Sequence, residues 1–436
     1  MVSTDNVPAD APRIRERLET LDLLRGVALL GVMLMNIPEM GGPTTTYHPP
    51  FPMSWHSPDW LTFLFEQMTV EGSARGLFNL LFGAGVLLIT SRNGVFDRPI
   101  QTADVFFRRC LGLVALGVVN IVLLLWFGDI LFFYGIAGMF VFAFRKLGPR
   151  WLLALALAVI ALQSVPDLLT GRAEVRSLHD LPMAEARQAQ HLPLSDAQQA
   201  ALDHHAEALK WNNPTPAMQA PEVQARSRHD YPGLMGWNLD TWLSFQMGGF
   251  RPFVTFGEAA GAMLLGMALF KWGILSGERS RGFYALLMIV GYAVGWASRY
   301  IVLKSQLDHN FMPANDWYPL TYELHRITVT LGHIGLILLV WKANLWGWLG
   351  RGFEALGRMA LTNYLTQSAL GAVIFYSLGW FHHLGFAQLA GVGILIIAAQ
   401  MIVSTIWLRF HAFGPVEWLL RSVSYGRLQP WWSARS

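Results

Sequence analysis

Charged side chains are scarce in this chain: Asp, Glu, Lys and Arg make up 14% of the 436 residues, whereas 53% are hydrophobic. A soluble domain carries nearer a quarter charged residues, so this composition argues against an ordinary soluble protein. Cysteine is almost absent, and the single Cys110 excludes an internal disulfide and any cysteine-built metal site. The formal net charge is only +3, and no nucleic-acid-binding motif is present, so no nucleic-acid partner is expected.

Apolar runs of near-spanning length recur along the chain and predict an all-α fold, a polytopic transmembrane helical bundle in the lipid bilayer. We predict about ten spans, at residues 21–37, 74–91, 111–127, 130–144, 151–169, 253–272, 282–302, 325–341, 359–380 and 386–408. Arginines and lysines concentrate in alternate loops, which by the positive-inside rule places both termini in the cytosol. The expected location is therefore the cytoplasmic (inner) membrane.

The span pattern divides the chain into five parts. These are a cytosolic tail (1–20), an N-terminal transmembrane half (21–170), a polar extracytoplasmic insertion with an interfacial segment (171–250), a C-terminal transmembrane half (251–410) and a second cytosolic tail (411–436). Trp60–Val70 is too short to cross, so we interpret it as interfacial or re-entrant, with a break at Gly72-Ser73. In the insertion, Ser195 and Gln198 predict a capping box for a helix at 194–211.

Polar side chains at membrane depth fall into two predicted layers. The outer layer holds Asn36, Glu71, Arg75, Asp129, Glu258 and Arg299, and the inner layer holds Asp22, Arg25, Arg358 and Asn363. Glu258 and Arg299 lie near the outer ends of neighbouring spans and could pair, either as a structural tie or as a substrate or proton site. Asp22 and Arg25 share a helix face and could pair with each other, or Arg25 could anchor a phosphate.

The histidines offer a second set of candidates. His48 and His56 follow the first span in an outer loop, where a neutral imidazole can act as a general base; a loop histidine without a role is the alternative. His333 is expected to be a core histidine bonded to a neighbouring helix. No metal site is expected, because His204-His205 lacks ligand spacing and no HExxH motif is present.

Glycines four residues apart predict close helix packing. Gly257 and Gly261 form one such pair, and Gly291 and Gly295 form another. These small-residue faces would also permit a homodimer.

Several segments resemble the YeiB-like bacterial membrane proteins, a family whose C-terminal half is a domain of unknown function. They are RLETLDLLRGVALLGVMLMNI, LFNLLFGAGVLL, GAMLLGMALFKWG, GRMALTNYLTQS and GPVEWLLRSVSYGR, in chain order. The resemblance covers nearly the whole chain and implies a multi-pass membrane protein of uncertain biochemistry. The insertion at 171–230 is its least recognisable part.

The first span is also distantly similar to transmembrane acyltransferases such as heparan-alpha-glucosaminide N-acetyltransferase. That group begins with D-x-x-R-G-[IVL]-A, here Asp22 to Ala28, and has an Asn at the outer end of the span, here Asn36. The likeness implies a catalytic outer histidine, His48 by spacing or His56 by context. It also implies acyl-CoA as the donor, with Arg25 near its phosphates and Asp22 beside it. The extra segment Trp60–Val70 departs from that group's pattern.

Three functions follow as hypotheses. The first is transfer of an acyl group from cytosolic acyl-CoA (acetyl-CoA) to an extracytoplasmic small-molecule or glycan acceptor. The second is a solute transporter with inverted five-span halves, in which Glu258, Arg299 and Arg75 would form the site. The third is a non-catalytic membrane partner protein that docks through its insertion.

Overall fold

The computed structural model describes residues 11–44, 56–91, 99–212, 214–309, 311 and 318–432, and in that part of the chain it forms helices and no β-strand. Eight helical segments in that part of the chain are long and apolar enough to cross a membrane, which confirms the all-α polytopic bundle. The elements are α1 (Ala11–Gly41), α2 (Pro58–Phe65) with a π-helix (Glu66–Val70), α3 (Ser73–Ser91), α4 (Pro99–Val122), α5 (Leu131–Val141) with a 3₁₀ turn (Phe142–Phe144), α6 (Pro149–Gln163), α7 (Val165–Ala189), α8 (Asp196–Asn212), α9 (Pro216–Arg226), α10 (Tyr231–Met247), α11 (Arg251–Lys271), α12 (Arg281–Asp308), α13 (Tyr318–Lys342), α14 (Gly347–Arg358), α15 (Ala360–Gly371) with a π-helix (Ala372–Ser377), α16 (Phe386–Trp407) and α17 (Pro415–Tyr425).

The predicted count of ten spans is not confirmed. The span expected at 130–144 forms only the 11 residues of α5 and a three-residue 3₁₀ turn, about 21 Å of helix. The span expected at 359–380 begins at Ala360 as α15 and changes to a π-helix at Ala372. Both are shorter or less regular than hydropathy alone suggests, because hydropathy measures apolar content and not helix continuity.

Helices also extend beyond the predicted span limits. α4 begins at Pro99, before the predicted span at 111–127, so Arg108 and Arg109 lie on a helix. α1 is already helical at Ala11, within the predicted tail, and α12 runs on to Asp308. Charged residues continue a helix past its apolar stretch, and the hydropathy pattern does not register that continuation.

The predicted break before α3 is confirmed. α2 passes into its π-helix, the chain turns at Glu71-Gly72, and α3 starts at Ser73. Gly72 has φ +68°, and a Cβ there would lie 2.9 Å from the Tyr322 hydroxyl, so both backbone conformation and space favour glycine. This break places Arg75 in the first turn of α3, inside the bundle.

Glycines set the closest helix crossings. A Cβ on Gly357 of α14 would lie 1.9 Å from the Asp22 carbonyl oxygen of α1, and a Cβ on Gly83 of α3 would lie 2.0 Å from the Met263 carbonyl oxygen of α11. Gly291 and Gly295, predicted as a packing face, lie against Thr328 and its neighbours on α13. That face is therefore occupied within the chain, and the homodimer stays a prediction.

α1 runs through the bundle from Asp22 to Gly41, and we use these residues to name its two ends. At the Gly41 end, α9 of the insertion folds back over the end of α1. The predicted capping box of α8 is confirmed, since the Ser195 amide donates to Gln198 Oε1 at 3.1 Å and the Gln198 amide donates to Ser195 Oγ at 3.3 Å. At the Asp22 end, α17 lies within the predicted tail 411–436, and Leu420 packs against Gly112 of α4.

Candidate functional site

A buried ion network occupies the interior towards the Gly41 end. Arg75 Nε donates to Glu258 Oε1 at 2.8 Å, and Arg75 Nη2 donates to Glu258 Oε2 at 3.3 Å and to the Tyr322 hydroxyl at 2.8 Å. Three helices, α3, α11 and α13, supply these side chains. We call Arg75, Glu258, Arg326, Glu323 and Tyr322 the Arg75 network.

Arg326 completes this network and was not among the sequence candidates. It is 1% exposed, its Nη2 donates to Glu323 Oε2 at 2.5 Å, and its Nη1 lies 3.6 Å from Glu258 Oε1. Two arginines thus face two glutamates, so the network is balanced in charge. The three-residue spacing of Glu323 and Arg326 was the available signal, since it places both on one helix face.

The predicted pairing of Glu258 with Arg299 is wrong. Arg299 of α12 instead bonds Gln67 in the π-helix, through the backbone oxygen at 3.1 Å and through the side-chain amide oxygen. The reason is the short π-helix before Gly72, which packs against α12 and offers Arg299 the Gln67 oxygens as acceptors. Arg299 Nη1 has no hydrogen-bond partner in the described part of the chain.

Beside the network lie buried carboxylates with unused oxygens. Glu66 is 3% exposed and its Oε1 has no hydrogen-bond partner among the described residues; the same holds for Glu71 Oε2. Glu39 on α1 lies close enough to Glu66 and Glu71 to interact electrostatically with both. Asn36 is 7% exposed and precedes Glu39 by three residues, on the same side of α1. The predicted residues Asn36, Glu71, Arg75 and Glu258 therefore fall in one region, with Glu39 and Glu66 added.

The candidate histidines differ in what the structure says of them. His56 is exposed, with φ +71°, and comes directly before Ser57, whose hydroxyl caps α2. His48 lies outside the described residues. The prediction for His333 is consistent with its surroundings, because Nδ1 lies 2.8 Å from the Tyr292 hydroxyl and Nε2 lies 2.8 Å from the Thr69 carbonyl oxygen.

Asp129 is separate from the Arg75 network, although we placed it in the same layer. It accepts from Asn120 Nδ2 at 2.7 Å and from the Phe132 amide at 2.9 Å, so it caps the start of α5. Burial raises the pKa of Asp129 to about 6, although the hydrogen bonds from Asn120 and Phe132 act to lower it.

The C-terminal end of α1 is held by Arg226, which sequence reasoning missed. Arg226 is fully buried and donates to the carbonyl oxygens of Glu39 and Gly42, at 2.7 and 2.9 Å. It also donates to Glu222 and to the Tyr376 hydroxyl. A cation at a helix C-terminus satisfies carbonyls that have no partner in the helix. The sequence did not indicate this role, because Arg226 lies in a polar segment where an arginine is expected to be an exposed surface charge.

At the Asp22 end, Arg25 Nη1 donates to Asp22 Oδ1 at 2.6 Å, so the predicted pair on one face forms. Arg25 of α1 and Arg421 of α17 both lie near enough to Arg109 of α4 to repel it. Arg421 also stacks over the Phe413 ring at 4.6 Å. Three helices therefore each place a guanidinium group at this end, with the Glu417 carboxylate as a counter-charge to Arg109. We call Arg25, Arg109 and Arg421 the arginine triplet.

No described group of three His, Cys, Asp or Glu side chains is placed to hold a metal ion. The arginine triplet carries side chains whose chemistry suits an anion, because guanidinium groups bind phosphate with paired hydrogen bonds.

Comparison with known proteins identifies the family. The chain is 30% identical to the uncharacterized protein YeiB of Escherichia coli (strain K12) over 427 residues, covering 94% of this chain and 96% of that protein. The chain belongs to the YeiB-like family. It is also 27% identical to the uncharacterized protein YxaH of Bacillus subtilis (strain 168) over 95% of this chain and 96% of that protein. Residues 269–427 match the family model described as protein of unknown function (DUF418), and no solved structure matches.

Two segments that carried the YeiB-like resemblance meet at the Asp22 end. Glu417, from GPVEWLLRSVSYGR, accepts from the backbone amides of Leu361 and Thr362, at 2.6 and 3.0 Å. These two residues belong to GRMALTNYLTQS and form the first turn of α15, so Glu417 satisfies amides that have no partner in the helix. The YeiB-like C-terminal segment is thereby fixed beside the arginine triplet.

Proposed function

We propose that the chain is a membrane-bound acyltransferase. An acyl-CoA, acetyl-CoA in the simplest case, binds at the Asp22 end, which faces the cytosol. The acyl group passes to an acceptor at the Gly41 end. The observation that carries this proposal is that α1 contributes Arg25 to the arginine triplet at one end and Asn36 to the region of unused carboxylates at the other.

The donor half of the proposal rests on the arginine triplet. CoA carries several phosphate groups, and guanidinium groups are the side chains best matched to them. Asp22 fixes the position of Arg25 through its 2.6 Å bond and leaves the other donors of that guanidinium for a ligand. Bound phosphate would also offset the repulsion that Arg25 and Arg421 exert on Arg109.

The geometry of α1 suits a long, thin donor. Arg25 and Asn36 are 11 residues apart on one continuous helix, about 17 Å along its axis. An extended pantetheine arm that follows α1 would bring the thioester towards Asn36, while the phosphates stay with the arginines.

In the chemical step, the acceptor hydroxyl or amine attacks the thioester carbonyl carbon. A new C–O or C–N bond forms, the C–S bond breaks, and CoA leaves as a thiolate that takes up one proton to become the thiol. A base takes the proton that the acceptor loses, so the reaction is balanced. His48 or His56 is the proposed base, and the Glu71 carboxylate is the alternative. Asn36 orients the carbonyl oxygen of the thioester.

The test is a thermal-shift titration of purified protein with acetyl-CoA, CoA and GTP. A ligand at about 100 times its dissociation constant adds roughly 2.7 kcal/mol of stability. We expect a shift with acetyl-CoA and CoA only, lost in Arg25→Ala and kept in Arg150→Gln, an exposed arginine at the start of α6. Asn36→Ala should keep the shift and lose acyl transfer. Equal shifts for all three ligands, or none, would overturn the proposal.

A transporter is the second candidate, and the interrupted helix before α3 favours it. Discontinuous membrane helices often line solute sites, and here Glu66, Glu71 and Arg299 have unused polar atoms beside the interruption. The distinguishing experiment measures solute-driven proton flux in proteoliposomes loaded with a pH-sensitive dye. Flux that disappears in Glu258→Gln supports transport, and acetyl-CoA-dependent transfer without flux favours the enzyme.

A further inference from the structure

A cavity of about 450 Å³ opens between the end of α4, the start of α10 and the α15 helix with its π-helical extension. Its volume lies in the range of small-molecule sites. It does not belong to the Arg75 network or to the arginine triplet, since none of their residues lines it.

The lining of this cavity is apolar along most of its length. Leu124, Leu125, Leu234, Ala369 and Ala372 form its walls. Leu123 and Val373, at its edge, are each 48% exposed, and Leu378, directly after the π-helix of Val373, is 63% exposed. Exposed aliphatic side chains on the flank of a membrane bundle face lipid, so the cavity opens sideways into the bilayer.

The polar side chains of the lining are His229, Tyr231, Tyr376 and Ser377. The Tyr231 hydroxyl donates to the Leu123 carbonyl oxygen. Arg226 connects Tyr376 to the Gly41 end of α1, because it bonds both Tyr376 and the Glu39 carbonyl oxygen. Tyr376 therefore lies towards the membrane surface of that side.

Tyr376 is the group best placed to recognise a ligand. Its oxygen accepts from Arg226, and in the described part of the chain its own proton makes no hydrogen bond. A hydroxyl that accepts from a cation becomes a stronger donor, because hydrogen bonds in a chain polarise one another. Tyr376 is 7% exposed and lines the cavity, so that donor is available to an oxygen atom of a ligand there.

We infer that this cavity binds a membrane amphiphile, with an aliphatic chain between Leu124 and Ala372 and an oxygen-rich head at Tyr376. A phospholipid and a polyprenyl phosphate share this chemistry. The site does not depend on the acyl-transfer proposal, since lipid binding is measured without a donor. If acyl transfer also holds, the amphiphile is placed at the same membrane surface as the proposed acceptor.

The experiment is native mass spectrometry of delipidated protein after addition of phosphatidylglycerol, undecaprenyl phosphate or detergent alone. Ala372→Trp fills the cavity, and Leu395→Trp is the matched control, because Leu395 is 70% exposed on α16 and does not line the cavity. Tyr376→Phe removes only the donor.

We expect one bound lipid in the wild type and in Leu395→Trp, at least tenfold less in Ala372→Trp, and a severalfold loss in Tyr376→Phe. Whichever of phosphatidylglycerol and undecaprenyl phosphate is retained more tightly identifies the class of lipid that the cavity binds. Equal retention by Ala372→Trp and Leu395→Trp, or an adventitious detergent only, overturns the inference.

Discussion

Arg75 and Glu258 face each other with a two-point contact, Nε to Oε1 at 2.8 Å and Nη2 to Oε2 at 3.3 Å, in the interior of the bundle. Glu258 also lies 3.6 Å from Arg326, so one carboxylate contacts two guanidinium groups. Glu258→Gln removes that charge and leaves Arg75 without its carboxylate partner, whereas Arg326 keeps Glu323. We expect a loss of roughly 3 kcal/mol in the free energy of unfolding, because an unpaired buried charge is costly.

The matched control for Glu258→Gln is Glu207→Gln. Glu207 is 62% exposed and lies 3.9 Å from Lys210, so its substitution should change stability by less than about 0.5 kcal/mol. Unfolding of both variants in mixed micelles gives the comparison. Equal stability of the two variants would contradict a compensating role for Glu258.

Gly83 and Gly85 lie two residues apart on α3 but in different surroundings. A Cβ at Gly83 would meet the Met263 carbonyl oxygen at 2.0 Å, whereas a Cβ at Gly85 meets nothing within 4 Å. Gly83→Ala should therefore cost at least about 2 kcal/mol, since helices α3 and α11 must separate. Gly85→Ala should stabilise the protein by about 0.5 to 1 kcal/mol, as alanine does in a helix. Thermal unfolding of the two variants tests this expectation. An identical change in both would show that α3 and α11 do not pack closely at Gly83.

Asp129 predicts a pH dependence of stability. Its pKa in the folded protein is about 6, above the ordinary value of 3.8, so the folded state binds the proton more tightly than the unfolded state does. Its contribution to stability is therefore greatest below pH 3.8, falls as the pH rises to about 6 and is constant above. The change amounts to about 3 kcal/mol across that window.

Asp129→Asn should abolish this part of the pH profile. The fold tolerates the amide, because Asn120 Oδ1 has no partner among the described residues and can accept from it after a rotation of the Asn120 side chain. Asp180→Asn, an exposed position on α7, is the control. Unfolding measured from pH 4 to 7 tests the expectation, and an unchanged slope in Asp129→Asn would rule it out.

Arg226→Lys tests how the insertion is attached. Lysine keeps the charge but cannot reach the Glu39 and Gly42 carbonyl oxygens, Glu222 and Tyr376 together, since it lacks the planar fork of arginine. We expect the insertion to be cleaved several times faster by a protease at the segment between α8 and α9, while the remaining bundle stays intact. Arg187→Lys, whose partly exposed side chain bonds the Pro193 carbonyl oxygen within the insertion, should leave the rate unchanged. Similar rates in both variants would show that Arg226 does not hold the insertion.

Arg109→Gln tests the arginine triplet without disturbing the Asp22–Arg25 pair. A charge-assisted hydrogen bond to phosphate contributes about 1.5 to 3 kcal/mol, so CoA affinity should fall about tenfold or more. Titration of CoA by calorimetry gives the affinity, and added salt should weaken binding less in the variant. An unchanged affinity would exclude Arg109 from the donor site.

The fold was predictable where the deciding interactions are local. The capping box of Ser195 and Gln198 and the break at Gly72 depend on residues within one turn, and both were predicted. The meeting of Asn36, Glu71, Arg75 and Glu258 was predicted as a layer, because depth in a membrane follows from position along a span.

Partners within that layer were not predictable. Whether Glu258 faces Arg75 or Arg299 depends on how helices rotate and on the segment before Gly72, which inserts its own carbonyl groups. Arg226 shows the same limit at longer range, because its acceptors on α1 lie more than 180 residues earlier in the chain. Such contacts depend on the tertiary arrangement of the helices, which cannot be read from the hydropathy pattern.

The continuity of α1 has a mechanical consequence. Its 31 residues form one rod of about 46 Å, fixed near Gly26 by the close approach of Phe353 and at its far end by Arg226. A rod fixed at two points transmits displacement along its length with little loss. Because Pro38 lies beyond Asn36, any shift of Arg25 would move Asn36 with it, so the two ends of the bundle are joined by one uninterrupted stretch of helix.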